Sequence, residues 1–385
     1  MLLSFLLTAA AAHSGVHSSV SLHFSGNGPP TVQTSWGFIF PYESEWYWVC
    51  PEVLPQPSLY NIAIDRGGQW WIAALGGLYH TSDRCNFSRV AFEDMYLSQI
   101  EIDPQNRIWV SSASGYQENA LWLSEDGGET FHATVDIGPD SRIYGFSRTG
   151  EHIWMIGDKD QEPYAWYQTP EGILQAVPLP VERWYSIVAI DPNTPQQLWL
   201  SAKGDEHSLY RLHIEDGLYE VLRAGASFNS LIQLETRMFL STEAALFYSE
   251  DQGESWIQST QKPETACLQY KEGYIYACTH SWEDGSSVMR AAPNGLPDQW
   301  HWESVMRFED VHSIAQCDPQ SDVESQCALL WDSALLNAGF TEEEKPTEEK
   351  QQESRGCKST AQASFLFAFL LFARTRRQSQ KDVTI

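Results

Sequence analysis

Basic side chains are scarce. Against 51 acidic residues stand 24 Lys and Arg, for a formal net charge of −27 at pH 7. Nucleic acid is thereby excluded as a partner, because holding a phosphate backbone needs a basic footprint. Charged residues of both signs make up only 19% of the chain, and the acidic excess reads as a solvated surface. Helical periodicity is nearly absent, apart from one short helix expected at 328–336. No Cys-x-x-Cys pair or Cys/His cluster occurs, which argues against zinc. Calcium loops of EF-hand spacing are missing too, so Asp158-Lys159-Asp160 and Glu283-Asp284-Gly285 read as solvated turns. Neither a metal nor a cofactor is expected.

Aromatic residues are plentiful, at 13% of 385 residues with 16 Trp. They recur in a pattern. An apolar strand and a turn precede a second strand with an aromatic between apolar neighbours. The triplets are Trp70-Trp71-Ile72, Ile108-Trp109-Val110, Ile153-Trp154-Met155, Leu198-Trp199-Leu200, Met238-Phe239-Leu240 and Ile275-Tyr276-Ala277. Their middle residues lie 38, 45, 45, 40 and 37 positions apart. The turns before them carry Asp, Pro, Asn and Gly, as in Asp65-Arg66-Gly67-Gly68, Asp103-Pro104-Gln105-Asn106 and Asp191-Pro192-Asn193. These residues supply capping oxygens, a fixed φ or a positive φ for a tight reversal.

A second hairpin follows in most units, as at Gly77-Leu78-Tyr79, Ala120-Leu121-Trp122, Ser208-Leu209-Tyr210 and Ala245-Leu246-Phe247. Four short strands per unit of about 40 residues predict an all-β chain, a β-propeller spanning 20–340. Six units are clear. Residues 20–52 form a degenerate seventh, with 36–40 and 46–50 as its outer strands and 311–331 fastening the ring. Seven four-stranded blades are expected, with six or eight, or a stack of β-sandwiches, as the alternatives.

Seven cysteines occur, and six remain once Cys357 in the tail is set aside, an even number suited to an exported chain. Cys267 and Cys278 flank a hairpin turning at Glu272-Gly273, which places them opposite each other within disulfide range. Cys317 and Cys327 bracket a polar loop and are expected to pin it. Cys50 is then left with Cys85.

The two ends read as addresses. Residues 1–12 are an apolar run ending Ala10-Ala11-Ala12, which suits a signal peptide. Residues 341–355 are rich in Glu, Lys and Gln and form an acidic disordered stalk. Gly356 and Cys357 follow, then the apolar segment 361–373 and Arg374, Arg376 and Arg377. That segment is shorter than the roughly 20 residues of a free-standing membrane helix. The trailing arginines would hold it on the cytoplasmic side. Gly356-Cys357, the short apolar span and the arginine cluster resemble the MYXO-CTERM sorting signal of myxobacteria, although Lys358 after the Cys departs from it. The resemblance implies membrane attachment through the segment 356–385, processing by a membrane protease near Cys357, and a bacterial cell-surface or outer-membrane location, with release as a further outcome.

Two units carry a sharper turn. Ser124-Glu125-Asp126-Gly127-Gly128-Glu129-Thr130-Phe131 and Ser249-Glu250-Asp251-Gln252-Gly253-Glu254-Ser255-Trp256 both match Ser-x-Asp-x-Gly-x-[Ser/Thr]-aromatic. Ser and Asp oxygens can accept backbone N–H groups here, and Gly can take a conformation closed to other residues. These segments resemble the Asp boxes of sialidases, sortilin-type propellers and related BNR-repeat proteins. Degenerate copies occur at Thr81-Ser82-Asp83-Arg84-Cys85 and Tyr42-Glu43-Ser44-Glu45-Trp46. The resemblance implies that Ser124, Asp126, Gly128, Phe131, Ser249, Asp251, Gly253 and Trp256 are structural and lie away from the central cleft. With the tail and the Cys-bearing hairpin, the chain also resembles uncharacterised myxobacterial surface propellers.

Two functions follow as expectations. One is a non-catalytic surface propeller binding a glycan or protein ligand, with Tyr164, Trp166, Tyr167, Trp282, Trp300 and Trp302 as candidate loop aromatics. The rival is a glycoside hydrolase of sialidase-like or related propeller type, which needs paired carboxylates or a Tyr–Glu pair. Sialidases also need arginines for a substrate carboxylate. Arg66, Arg142 and Arg183 are available, but none has the family's context, and the opening Arg-Ile-Pro motif is missing. Paired blade strands bury aromatics too, so packing competes with binding for each of the six.

Overall fold

A computed structural model describes residues 19–337, apart from 27, 55–59, 116, 139, 182–183, 192, 204–205, 225, 243–244, 261–262, 264 and 280–283. Seven antiparallel sheets form, each starting from its own four consecutive strands. Blade 1 holds Ser19–His23, Thr31–Thr34, Gly37–Tyr42 and Glu45–Val49, and blade 2 starts at Tyr60–Ile64. The first strands of blades 3 to 7 are Leu97–Ile102, Ser141–Thr149, Trp184–Ile190, Phe228–Leu234 and Thr265–Lys271. Each first strand packs beside the first strand of the next blade, and that of blade 7 meets that of blade 1. The sheets therefore close into a seven-bladed β-propeller with the first strands around the axis.

Every aromatic triplet falls on a second strand, such as Trp70–Ala74, Ile108–Ser112 and Gln197–Lys203. Such a strand is covered on both faces by neighbouring blades, so its apolar residues run on rather than alternate. Trp154, Trp199 and Phe239 are fully buried. Truncating an aromatic of this kind costs about 3–5 kcal/mol.

Strand direction gives the ring two faces. First-to-second and third-to-fourth connections gather on one, here the turn face. Second-to-third and blade-to-blade connections gather on the other, the loop face. On the turn face the side chains satisfy the backbone. Asp65 accepts from Gln69 N at 2.9 Å, Asp103 from Gln105 N and Arg107 N at 2.9 Å, and Asp191 from Asn193 N at 2.9 Å.

The two sharper turns share one hydrogen-bond scheme. Ser124 Oγ donates to Asp126 at 2.8 Å and accepts from Gly128 N at 2.8 Å, while Asp126 accepts from Thr130 N at 3.0 Å. Ser249, Asp251, Gly253 and Ser255 repeat it at 2.8, 2.7 and 2.9 Å. Their glycines also pack between blades. Gly128 has φ +91°, and a Cβ there would lie 2.4 Å from Trp71 of the preceding blade. Gly253 has φ +86°, and its Cβ would meet Trp199 of the preceding blade at 2.5 Å. Phe131 and Trp256 continue the contact, on Phe92 at 4.9 Å and Trp199 at 6.1 Å.

Ring closure differs from expectation in two ways. Residues 19–49 already make a complete blade 1, so the C-terminal piece adds a fifth strand, Val311–Ile314, parallel to Glu45–Val49. Two short helices follow: Trp331–Asn337, where one was expected at 328–336, and Asp322–Cys327, which was not. This strap changes the disulfides. Cys267–Cys278 forms as expected, on residues directly paired across the ladder. Cys50 is joined to Cys327, and Cys85 to Cys317, correcting the Cys50–Cys85 and Cys317–Cys327 pairs. Parallel pairing carries the chain back along blade 1, so residues close in sequence part to meet partners about 230 to 280 positions away. Phe87 N and Val323 N add hydrogen bonds between blade 2 and the strap, to Asp322 at 2.7 Å and Cys85 O at 3.1 Å.

Three disulfides suit a protein of an oxidising, extracellular or exported setting. Among the described residues no helix is long and apolar enough to cross a membrane. The expected signal peptide, the stalk, and the tail with Gly356 and Cys357 lie outside the described residues.

Candidate functional site

The first strand of each blade is an edge strand, paired on one side only, and its other edge faces the axis. A channel of about 950 Å³ opens there, walled by first strands of blades 1, 5, 6 and 7. Among the described residues its lining is Val20–Leu22, Ser186–Val188, Phe228–Leu231 and Ala266–Gln269, with no charged side chain. Strand alternation aims Ser186, Asn229 and Gln269 into water, and Val20 is 47% exposed.

On the loop face the channel continues into a smaller recess of about 280 Å³, sharing Ser186, Phe228 and Asn229 with it. Trp184, Tyr185, Ser201, Lys203 and Ser227 complete the recess. Trp184 opens the first strand of blade 5, paired with Lys203, and is 76% exposed. His207 pairs with Lys203 on its other side and hydrogen-bonds Ser227 Oγ at 3.1 Å.

A second groove, of about 1310 Å³, lies on the same face between blades 3 and 4. Its walls are charged: Glu118, Asp136, Asp140, Arg142 and Asp160. Arg142 is committed to Asp158, with Nε at 2.9 Å and Nη2 at 2.5 Å, and Tyr144 donates to the same carboxylate. The hydrogen bond to Asp158 raises the Arg142 pKa. Burial, reinforced by Asp158, raises that of Tyr144. Both groups thus hold their protons and stay bound to Asp158.

The other residues singled out in the sequence are dispersed. Trp166 and Tyr167 stand inside the blades at 1% and 2% exposure, and Trp300 packs on Phe239 at 4.8 Å. Tyr164 and Trp302 are half-buried beside Trp166 and Trp300. Tyr164, Trp166 and Tyr167 belong to a blade strand and are spent on packing, while Trp300 and Trp302 lie on the connection before Glu303–Met306 but fold back onto blade 7. Trp282 lies outside the described residues, as does Arg183. Arg66 sits on the turn face, donating to Pro104 O, so it and Arg142 are on opposite faces. Among the described residues no group of three His, Cys, Asp or Glu side chains is placed to hold a metal.

Trp184 was missed in the sequence because it belongs to no triplet. The signal available was its place at the head of a strand with Ser186 two residues on, which puts both on one face.

No protein-family model and no curated protein matches the chain. Solved structures do resemble it. YCF48 bound to D1 peptide aligns with a TM-score of 0.50 at 13% identity, over 71% of this chain and 91% of that one. YCF48 from Cyanidioschyzon merolae gives 0.47 at 13% identity, over 68% and 92%. The GH74 xyloglucanase from Xanthomonas campestris gives 0.35 at 14% identity, over 63% and 58%. At these identities the likeness is one of fold.

Proposed function

We propose that the chain is an exported, cell-surface Asp-box propeller that binds a glycan or protein ligand without transforming it, at the loop-face mouth of its central channel. The single observation carrying this is Trp184, a large aromatic that no blade uses for packing, left 76% exposed beside a channel. Aromatic anchors of this kind dominate recognition of sugars and of protein partners. The turn face supports the same conclusion by contrast. Asp126 and Asp251 spend their oxygens on their own turns, which suits structural Asp boxes and leaves them no catalytic task.

For the sialidase-like rival, a cluster of free arginines is required. Arg66 and Arg142 are on opposite faces, and Arg142 is held by Asp158. Export is supported by the three disulfides, and surface attachment by the tail sequence with Cys357, a target for a membrane protease.

A glycan array and a peptide array probed with the purified chain, together with a fluorogenic glycoside panel, test the function. Binding without turnover is expected, and Trp184→Ala should abolish it. Glycoside cleavage above background would overturn the non-catalytic assignment.

A further inference from the structure

The chemistry of the channel narrows the ligand. We infer that its occupant is an uncharged oligosaccharide, entering by its chain end and stacking a sugar ring on Trp184. This rests on the channel mouth being the binding site.

Charge comes first. The chain carries −27 overall, so an acidic ligand approaches against repulsion that is screened only beyond a Debye length of about 8 Å. Among the described residues no Arg or Lys lines the channel wall to reverse that penalty, and at the rim Lys203 is the one lysine or arginine that lines the recess. A cationic ligand meets no carboxylate on the wall either. Four acidic side chains of the loop face, Glu118, Asp136, Asp140 and Asp160, line the separate groove between blades 3 and 4, and Glu206, beside the mouth, is not among the residues lining the channel or the recess. An uncharged ligand is the one for which neither sign is needed.

Hydrogen-bonding capacity comes second. Ser186, Asn229 and Gln269 are exposed to the channel and offer one hydroxyl and two amides. Amides and hydroxyls both donate and accept, which matches the mixed character of sugar hydroxyls. An Asn or Gln amide can serve two adjacent hydroxyls without a charge having to be desolvated.

Shape comes third. A protein partner contributes its own aromatic or arginine anchor to a deep pocket. Here the anchor stands on this chain, as a platform raised at the rim, with an uncharged channel of about 950 Å³ beyond it whose apolar wall carries Ser186, Asn229 and Gln269. A flat, hydroxyl-edged ring stacked on an indole, with its chain end in an uncharged channel that mixes apolar wall with hydroxyl and amide groups, is carbohydrate geometry.

The experiment is calorimetric and fluorescence titration of the full exported chain, disulfides intact, with cello-, xylo- and mannohexaose. Hexagalacturonate and a heparin hexasaccharide serve as acidic counterparts, and an uncharged peptide array as the protein counterpart. Variants are Trp184→Ala, Trp184→Phe, the pair Asn229→Ala with Gln269→Ala, and Tyr219→Ala as an exposed aromatic elsewhere. At least one neutral hexaose should bind, with Kd between roughly 10 µM and 1 mM. Trp184→Ala should weaken it at least tenfold, Trp184→Phe should restore part, and the amide pair should weaken it several-fold. Tyr219→Ala should leave it unchanged, and thermal unfolding should show every variant folded. Binding should not depend on salt between 20 and 300 mM, as a contact without ion pairs requires.

Failure of every neutral sugar, or equal binding of an acidic one, overturns the inference. Peptide binding that Trp184→Ala abolishes would leave the site standing and replace the ligand class. A ligand whose affinity ignores Trp184→Ala would remove the site itself.

Discussion

The two faces of the ring are built from connections of the same blades, yet they treat their side chains in opposite ways. On the turn face, together with the strap joined to it at Cys85, the Asp carboxylates are consumed internally, although Tyr42, Tyr219 and Tyr270 stay exposed there. Asp103 is the extreme case. It accepts from two backbone N–H groups, from Arg107 Nε at 2.6 Å, from the Trp109 indole at 3.2 Å and from Arg148 of the next blade at 3.3 Å. On the loop face an indole and several amides are left in water around two recesses. A propeller must close its blades somewhere and stay open somewhere. Carboxylates are consumed where connections are shortest, because a tight turn draws on them to satisfy its backbone.

The largest effects should come from the strap. Its bridges span 277 and 232 residues, against 11 for Cys267–Cys278. In the chain-entropy limit each long bridge contributes about 5 kcal/mol and the short one about 3 kcal/mol. Urea unfolding of Cys50→Ala with Cys327→Ala, and of Cys85→Ala with Cys317→Ala, should lose more stability than Cys267→Ala with Cys278→Ala. The reverse order would show that the strap does not close the ring.

Glycine substitutions compare the faces directly. Gly128→Ala and Gly253→Ala force a Cβ into Trp71 and Trp199 at positive φ and should each cost about 2–4 kcal/mol. Gly138→Ala, on the loop face, shares a positive φ of +84° but has nothing within 4 Å, and should cost about 1 kcal/mol. Equal midpoint shifts in thermal melts would erase the distinction.

Acid should act chiefly through the turn face. Burial opposes ionisation of Asp103, but hydrogen bonds from Arg107, Trp109 and Gln105 outweigh it and hold the pKa at about 2. For Asp126 and Asp251 the hydroxyl and backbone N–H of Thr130 and Ser255 do the same, again to about 2. These carboxylates are depressed in the folded chain, so their stabilisation is full above the unfolded value near 4 and is lost as pH falls toward 2. Asp103→Asn should flatten that acid limb, read by tryptophan fluorescence; an unchanged limb would assign it elsewhere. Glu101 has the opposite sign. Burial, only partly offset by Arg148 and Gln99, lifts it to about 7. Ionising it therefore costs stability progressively from about pH 4.5 to 7, and Glu101→Gln should gain about 2 kcal/mol at pH 8 and little at pH 4.

The smallest stability effect belongs to Trp184→Ala. A side chain 76% exposed should shift unfolding by under about 0.5 kcal/mol. Trp199→Ala, with the same residue type fully buried on the next strand, should cost about 3–5 kcal/mol. A large loss from Trp184→Ala would mean that the loop face also uses its aromatics for closure.

Much of this was legible in the chain itself. The spacing of Trp71, Trp109, Trp154, Trp199, Phe239 and Tyr276 announced stacked blades, since each unit has apolar residues on both sides of one strand and cannot cover them alone. Glu272-Gly273 announced the Cys267–Cys278 hairpin, because both residues take positive φ, at 52° and 85°, in a two-residue turn. The candidate site was far less visible. Trp166, Tyr167 and Trp300 share composition and context with exposed aromatics, and only the neighbouring blade distinguishes them. Trp184 carried no motif.

Local chemistry, then, determined what could be settled within a hairpin: strand, turn, period and the one disulfide that crosses a single ladder. Which distant cysteines meet, which aromatics are spent on packing, and where an uncharged channel opens were decided by the ring. Each depends on surfaces brought together from units dozens to hundreds of residues apart, and a spacing along the chain does not encode which face of a closed circle a residue will meet.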